Sequence, residues 1–249
     1  MIFAEDTPNH TGVAIYGDHL DFQNLYEALH TVVGEEEEFY THHMARLRVL
    51  GVCYDIRHAM MGDREIEFVD GGMDAEKRRR MMVLAPDKNV YLKIYVLWPE
   101  ILFVVIVLND FIRLYAKKKA KQKYDIMTDR HIIWDESISM VRVLQAALAK
   151  CIRETVSETS YNRMMGMMNS SYNWFNGYAT QYLDILNCRF IDMKPEKKLK
   201  NIPIMAKRIT ECGEEYQIVK AHVAAAAKQY NTYEDNISAA VEYPDDFDW

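Results

Sequence analysis

The sequence is poor in the residues that make tight turns, with only 10 glycines and 6 prolines among its 249 residues. A β-sandwich needs many short turns, and such turns draw heavily on these two residue types. The sequence therefore favours long helices over an all-β architecture. An excess of positive charge is also missing, because the formal net charge is −7. This charge argues against a protein that holds nucleic acid on a broad basic face.

The four cysteines lie far apart in the sequence, and none of them forms a CxxC pair. This spacing is not typical of a zinc site or of a disulfide framework, so free thiols in a reducing compartment are the simpler interpretation. The first residues, MIFAEDTPNHTG, have no basic stretch followed by an apolar one, and so do not resemble a signal peptide. We therefore expect a cytoplasmic protein.

The sequence also lacks an apolar run long enough to cross a membrane. A transmembrane helix needs about twenty apolar residues, whereas the run Ile101–Leu108 is followed at once by Asn109 and Asp110. We predict a helix buried within a protein core, with no transmembrane segment and no contact with a membrane surface. Asp110 and Arg113 lie three residues apart on this helix, a spacing that permits a structural ion pair.

Alternation of apolar and polar residues predicts three strands, over residues 11–17, 64–72 and 89–98. The third strand is the most regular, and one of its faces carries Val90, Leu92, Ile94 and Val96. The sequence then predicts helices over residues 19–33, 35–61, from Pro99 onwards, 133–157, about 159–188 and about 203–231. Residues 192–203 are predicted to form a loop, and the acidic, aromatic tail EYPDDFDW a loose end.

These elements predict an α+β fold that is predominantly α, with a small antiparallel sheet of about three strands packed among about six helices. We expect one compact domain over residues 1–249, with a possible division into an α+β part, 1–125, and a helical part, 126–249.

Two carboxylate–histidine pairs at helical spacing suggest a metal site, Glu27 with His30 and Asp55 with His58. Ferritin-like di-iron bundles use a Glu-x-x-His motif on each of two helices. At about 100° per residue, however, His30 lies at the edge of the apolar stripe of its helix and Glu27 lies on the polar face. That stripe comprises Phe22, Leu25, Leu29, Val32 and Val33.

Diverging ligands do not make a di-iron centre, so solvated ion pairs and structural histidines are the favoured interpretation. The expected buried pair is His43 and His58. A metal-binding or hydrolytic enzyme that uses the Glu, Asp and His residues of the first two helices remains the alternative. No cofactor is predicted, since the sequence has no GxSxG, GxGxxG, GxxxxGK[ST] or HExxH motif.

Methionine and aromatic residues are concentrated in the helical half of the chain. Such residues at helical spacing are most often core, but they also form the adaptable surfaces at which proteins bind partners. The partner-binding candidates are Met164, Met168, Tyr172, Trp174, Tyr178 and Tyr182. They favour a non-catalytic binding or interaction module, with a protein partner or a second copy of the chain bound through this half.

Clusters of basic residues supply a second alternative, a protein associated with nucleic acid, although the net charge disfavours it. The anion-binding candidates are Arg78, Arg79, Arg80, Lys117, Lys118 and Lys119. The simpler interpretation of both clusters is solvated helix ends and loops, because lysines complement the negative end of a helix.

Three segments of the N-terminal half resemble an uncharacterised bacterial family of domains of unknown function. They are TPNHTGVAIYGDHLDFQNLYEALH, LRVLGVCYDIRHAMMGDREIEFVDGG and NVYLKIYVLWPEILFVVIVLNDFIRLYAKK. The resemblance covers about residues 7–119. It implies a bacterial, cytoplasmic origin and brings no known activity or catalytic residue.

Overall fold

The computed structural model of the chain describes residues 1–82, 84, 86–122, 124–171 and 173–249. Their four strands are β1 (Phe3–Asp6), β2 (Gly12–Gly17), β3 (Glu65–Asp70) and β4 (Lys88–Leu97). Their helices are α1 (His19–Val33), α2 (His43–Met60), α3 (Ala75–Met81), α4 (Trp98–Lys119), α5 (Glu136–Thr155), α6 (Glu158–Met168), α7 (Gln181–Ile191), α8 (Pro195–Glu211) and α9 (Glu214–Tyr230). The α+β class and its predominance of helix are confirmed.

The sheet is antiparallel throughout and has the strand order β1-β2-β4-β3. It has four strands rather than about three, because sequence reasoning missed β1. That strand is four residues long and lies at the edge of the sheet, where its pairing with β2 rather than its own pattern makes it a strand. The described residues also contain nine α-helices rather than about six.

Helix α1 forms as predicted, because its ends and its buried face are both encoded locally. The side chain of Asp18 accepts a hydrogen bond from the backbone of Asp21, whose side chain accepts one from Asp18 in return. Gly34 ends the helix in a conformation with φ of 71°, which favours glycine. All five residues of the predicted apolar stripe are buried.

Helix α2 begins at His43 and not at Glu35, which changes the histidine that is buried. The Glu38 carboxylate accepts hydrogen bonds from the backbone of Glu35 and from Lys118, closing a turn instead of continuing a helix. As a result His42, which is 2% exposed, occupies the core. The prediction of His43 and His58 as the buried pair is wrong, since both are partly exposed.

Two long predicted helices are each divided in two. The segment between α6 and α7 is held across the molecule, where the Gly177 amide donates to the Thr41 carbonyl at 2.7 Å. A left-handed residue, Cys212, separates α8 from α9. The predicted loop over residues 192–203 lies largely inside α8, because Pro195 suits the first turn of a helix. Pro203 is tolerated in that helix, whose buried stripe includes Ile202, Met205, Ala206 and Ile209.

Helix α4 is the centre of the core and is buried on most of its sides, as predicted. Buried apolar side chains form one cluster that extends from Ile2 to Tyr216. Within the described ranges, no helix has both the length and the apolar character required to cross a membrane.

Candidate functional site

A cleft of about 560 Å³ lies where α2, α7 and the end of β4 meet the start of α4. This volume is within the range of about 300–1,000 Å³ that is usual for ligand pockets. The cleft is lined by Arg48, Gly51, Val52, Asp55, Arg64, Tyr95, Val96, Leu97, Glu100, Asn187, Tyr243, Phe247 and Trp249. It therefore combines charged groups with an aromatic wall.

The aromatic wall consists of Tyr95 of β4 together with Phe247 and Trp249 of the C-terminal segment, residues 237–249. The Trp249 ring stacks on Tyr95 with centroids 5.0 Å apart, and the Phe247 ring lies 5.0 Å from Trp249. The backbone of this segment is also held, because Asn9 donates to the Trp249 carbonyl and Thr11 donates to the Asp248 carbonyl. The prediction of a loose tail is wrong, since its backbone is hydrogen-bonded to Asn9 and Thr11 and its last residue stacks on the sheet.

The floor of the cleft is a charge network that three helices bring together. Arg48 of α2 lies 2.8 Å from the Asp184 carboxylate of α7 and 3.5 Å from the Glu100 carboxylate of α4. The same guanidinium also donates to the Thr180 carbonyl at 3.2 Å. One positive side chain therefore faces two carboxyl groups, and the network carries an excess negative charge when both are ionised.

Asn187 and Tyr243 connect the two carboxylates of this network. The Asn187 Nδ2 donates to Glu100 at 2.8 Å and to the Tyr243 hydroxyl at 3.0 Å, and that hydroxyl donates to Asp184 at 2.9 Å. The Asn187 Oδ1, in a residue that is 1% exposed, has no hydrogen-bond partner among the described residues. Such a buried acceptor costs about 1–3 kcal/mol when it is left unpaired.

Burial is the main cause of the raised pKa of Glu100. Burial raises this pKa, Asp184 raises it further, and the opposing effects of Arg48 and Asn187 offset the rise only in part. For Arg48, burial acts to lower the pKa, but Glu100 and Asp184 outweigh burial and raise it above its ordinary value. Arg48 is therefore fixed as a cation, and Glu100 is the group whose charge is least compensated.

A second ion pair lies at the rim of the cleft. Arg64, which follows α2, reaches back to Asp55 with a separation of 2.7 Å between guanidinium and carboxylate. Each charge of this pair is compensated by the other. Of the four metal-site candidates, Asp55 is the one that lines the cleft, and its carboxylate accepts hydrogen bonds from Arg64.

The other metal-site candidates have contacts of their own outside the cleft. Glu27 accepts a hydrogen bond from Gln23, and burial lowers the pKa of His30. The ring Nδ1 of His58 lies 2.8 Å from the Tyr54 carbonyl. In the part of the chain that the structure describes, no three or more His, Cys, Asp or Glu side chains form a group that could hold a metal ion.

Most of the partner-binding candidates lie inside the protein. Met164, Met168, Tyr178 and Tyr182 are all buried, whereas Trp174 is 45% exposed. Tyr172 lies outside the described residues. Of the described candidates, Trp174 is therefore the one whose side chain is well exposed.

The basic candidates are on the surface, and two of them already have acidic partners. Lys118 lies 2.6 Å from Glu38, and Lys119 lies 2.7 Å from Asp135. The remaining candidates, Arg78, Arg79, Arg80 and Lys117, lie in the last turns of α3 and α4.

Asp110 of α4 has a different partner from the one that its sequence spacing suggests. Its Oδ2 accepts the Phe175 amide at 2.8 Å and faces the His42 Nε2 at 3.6 Å. Both ionisable side chains are almost completely buried. In the described residues Arg113 forms no ion pair with Asp110, so the pair that the spacing permits is not made.

The charge network was not predicted from the sequence. Arg48, Glu100, Asp184, Asn187 and Tyr243 follow no recognisable spacing, and Glu100 alone attracts notice, as an acidic residue in the first turn of a helix. The network depends on packing between segments that are distant in sequence.

A family model described as "Domain of unknown function (DUF6904)" matches residues 2–249. Comparisons with curated proteins and with solved structures give no match. The family resemblance detected over about residues 7–119 is thereby confirmed and extended, whereas the bacterial origin stays a prediction. The chain belongs to the DUF6904 family of domains of unknown function.

Proposed function

We propose that this protein is a binding module that holds a small organic cation, an ammonium or guanidinium compound, in the cleft above the charge network. The observation that supports this most directly is the poorly compensated carboxylate of Glu100, whose one cationic contact among the described residues is at 3.5 Å to an arginine shared with Asp184. A bound cation would supply the charge that the network lacks.

The unpaired acceptor of Asn187 supports the same class of ligand. An ammonium or guanidinium group carries several N–H donors and no acceptor. A ligand of this kind could donate to Glu100 and, with a small movement of the amide, to the Asn187 Oδ1. An anionic ligand would instead find both arginines of the cleft already occupied by carboxylates.

The aromatic wall supports a cation that is organic. Phe247 and Trp249 add aromatic and apolar area to one side of the cleft, where Trp249 stacks on Tyr95. Aromatic faces attract cations that have left bulk water, and the same faces bury the apolar part of an amine. Phenethylamine is thus a suitable probe, because it joins a primary ammonium to a phenyl ring.

The test is calorimetric titration of the purified protein with phenethylamine, phenethyl alcohol and hydrocinnamate, which are cationic, neutral and anionic compounds of similar shape. We expect saturable binding of the amine at one site per chain, and weaker binding of the other two. Equal binding of the alcohol would contradict a role for charge, and preference for hydrocinnamate would reverse the proposal.

Two tryptophan variants locate the bound amine. Trp249→Ala removes part of the aromatic wall and should weaken amine binding, whereas Trp134→Ala removes an 86% exposed indole elsewhere and should not. An equal response of both variants would place the amine outside the cleft.

A cytoplasmic location, a protein partner and one domain over residues 1–249 stay predictions.

A further inference from the structure

A smaller cavity, of about 260 Å³, lies between α4, α5 and α6 and shares no lining residue with the cleft. Buried or partly buried apolar side chains of all three helices line it, namely Val105, Ile106, Leu148, Ile152, Met165 and Met168. Its polar lining residues, Asn109, Arg142, Gln145 and Asn169, are more accessible to solvent. An apolar cavity with a few polar groups is the usual form of a site for a small organic molecule.

Arg142 of α5 is held at this cavity by neutral groups. Its Nη1 donates to the Asn109 Oδ1 at 2.6 Å and to the Gln145 Oε1 at 2.8 Å. The Gln145 Nε2 in turn donates to the Val105 carbonyl at 2.8 Å, which fixes this amide against α4. In the described residues the Nε and Nη2 donors of Arg142 have no partner. These donors form one side of the planar guanidinium, which is suited to binding a carboxylate with two parallel hydrogen bonds.

The charge of Arg142 has no acidic partner in the described part of the chain. The charged group that acts on it is another arginine, Arg113, one turn beyond Asn109 on α4. Partial loss of hydration lowers the pKa of Arg142, and the positive charge of Arg113 lowers it further. The whole chain has a net charge of −7, so this pair of positive charges is not a consequence of composition. A bound anion would offset their repulsion.

We propose that this cavity binds a short-chain aliphatic carboxylate, whose carboxylate accepts from the Nε and Nη2 of Arg142 and whose alkyl chain packs on the apolar lining. An inorganic anion would satisfy the guanidinium but would leave the apolar lining in contact with water. The cavity has room for roughly nine water molecules at about 30 Å³ each, which limits the ligand to a small molecule. Hexanoate is therefore a suitable probe.

Calorimetric titration of the purified protein with hexanoate tests this proposal. Hexanamide keeps the alkyl chain without the charge, and inorganic phosphate keeps the charge without the chain. We expect one hexanoate to bind per chain, at least about tenfold more tightly than either comparison compound. Equal binding of hexanamide would contradict the role of Arg142, and equal binding of phosphate would contradict the role of the apolar lining.

Two variants of α5 test the two parts of the site separately. Arg142→Gln removes the charge and should weaken hexanoate binding at least about tenfold. Ala149→Leu keeps the arginine but places a larger side chain in the cavity, and it should also weaken binding. Arg130→Gln is the matched control, since it removes an equal charge from an exposed arginine outside the cavity. Circular dichroism and thermal melting establish that each variant retains the fold.

The proposal is overturned by a wild-type protein that shows no saturable binding of hexanoate. It is also overturned if either Arg142→Gln or Ala149→Leu binds hexanoate as tightly as the wild type, or if Arg130→Gln loses binding to the same extent. Trp249→Ala distinguishes this site from the cleft, because it should leave hexanoate binding unchanged. A loss of hexanoate binding in that variant would place the carboxylate in the cleft and contradict the assignment.

Discussion

Glu100→Gln is the change that separates a ligand-binding carboxylate from a structural one. The Glu100 side chain is 17% exposed, so water screens its charge only weakly. Glutamine has nearly the same shape and can still accept the hydrogen bond from Asn187, but it removes the excess negative charge of the network. The variant therefore tests charge at an almost constant geometry.

The expected effect follows from the strength of a charge-assisted hydrogen bond. Such a bond contributes about 1.5–3 kcal/mol net, whereas bare attraction at about 4 Å with an effective dielectric constant of 20 would give about 4 kcal/mol as an upper limit. We expect the affinity for phenethylamine to fall about ten- to hundredfold in Glu100→Gln. Calorimetric titration measures this change directly, and Glu154→Gln, on the exposed surface of α5, is the matched control.

The pH dependence gives a second measurement on the same variant. Because burial raises the pKa of Glu100, the wild-type affinity should fall as the pH is lowered through that raised pKa. The variant should lack this component of the fall. Amine binding that is equally tight in Glu100→Gln, with the same pH profile, would refute the assignment of Glu100 as the cation-binding group.

Stability should change in the opposite direction to binding. A carboxyl group with a raised pKa binds its proton more tightly in the folded than in the unfolded protein. Its contribution to stability is therefore present at low pH and is lost as the pH rises from the unfolded pKa through the folded pKa. At neutral pH, Glu100→Gln should be at least as stable as the wild type, and clear destabilisation would indicate a structural role instead.

Four further variants concern the fold, and their stability is measured by thermal and urea denaturation. Gly12→Ala should destabilise the protein by about 1–3 kcal/mol, because the new Cβ would collide with the Val96 carbonyl oxygen. Gly166→Ala lies on an exposed helix surface with open space around it, and it should stabilise the protein by up to about 1 kcal/mol. Asp18→Ala removes the cap of α1 and should cost about 1 kcal/mol, or about 2–4 °C in melting temperature, and an unchanged melting temperature would contradict the role of the cap. Trp98→Phe should cost more than Asp18→Ala, since it leaves a cavity in a fully buried site and removes a 2.9 Å hydrogen bond to an acidic side chain of β1.

The features predicted correctly from the sequence are those set by neighbouring residues. The span and the apolar stripe of α1, the alternation along β4, and the apolar run of α4 each lie within one element. The predominance of helix follows from the scarcity of turn residues. The errors are at boundaries, where contacts such as the hydrogen bond from Gly177 to Thr41 decide where a helix stops.

The candidate site belongs to the features that could not be predicted from the sequence. Arg48, Glu100 and Asp184 come from three helices, and Tyr243 and Trp249 come from a tail without regular structure. Each of these side chains appears in the sequence as an ordinary surface residue. Local periodicity, capping and composition thus determined the secondary structure and the buried faces of this protein. The partners of its buried charges, and the cleft above them, were decided by the tertiary structure, because the compensation of a buried charge depends on packing between segments far apart in sequence.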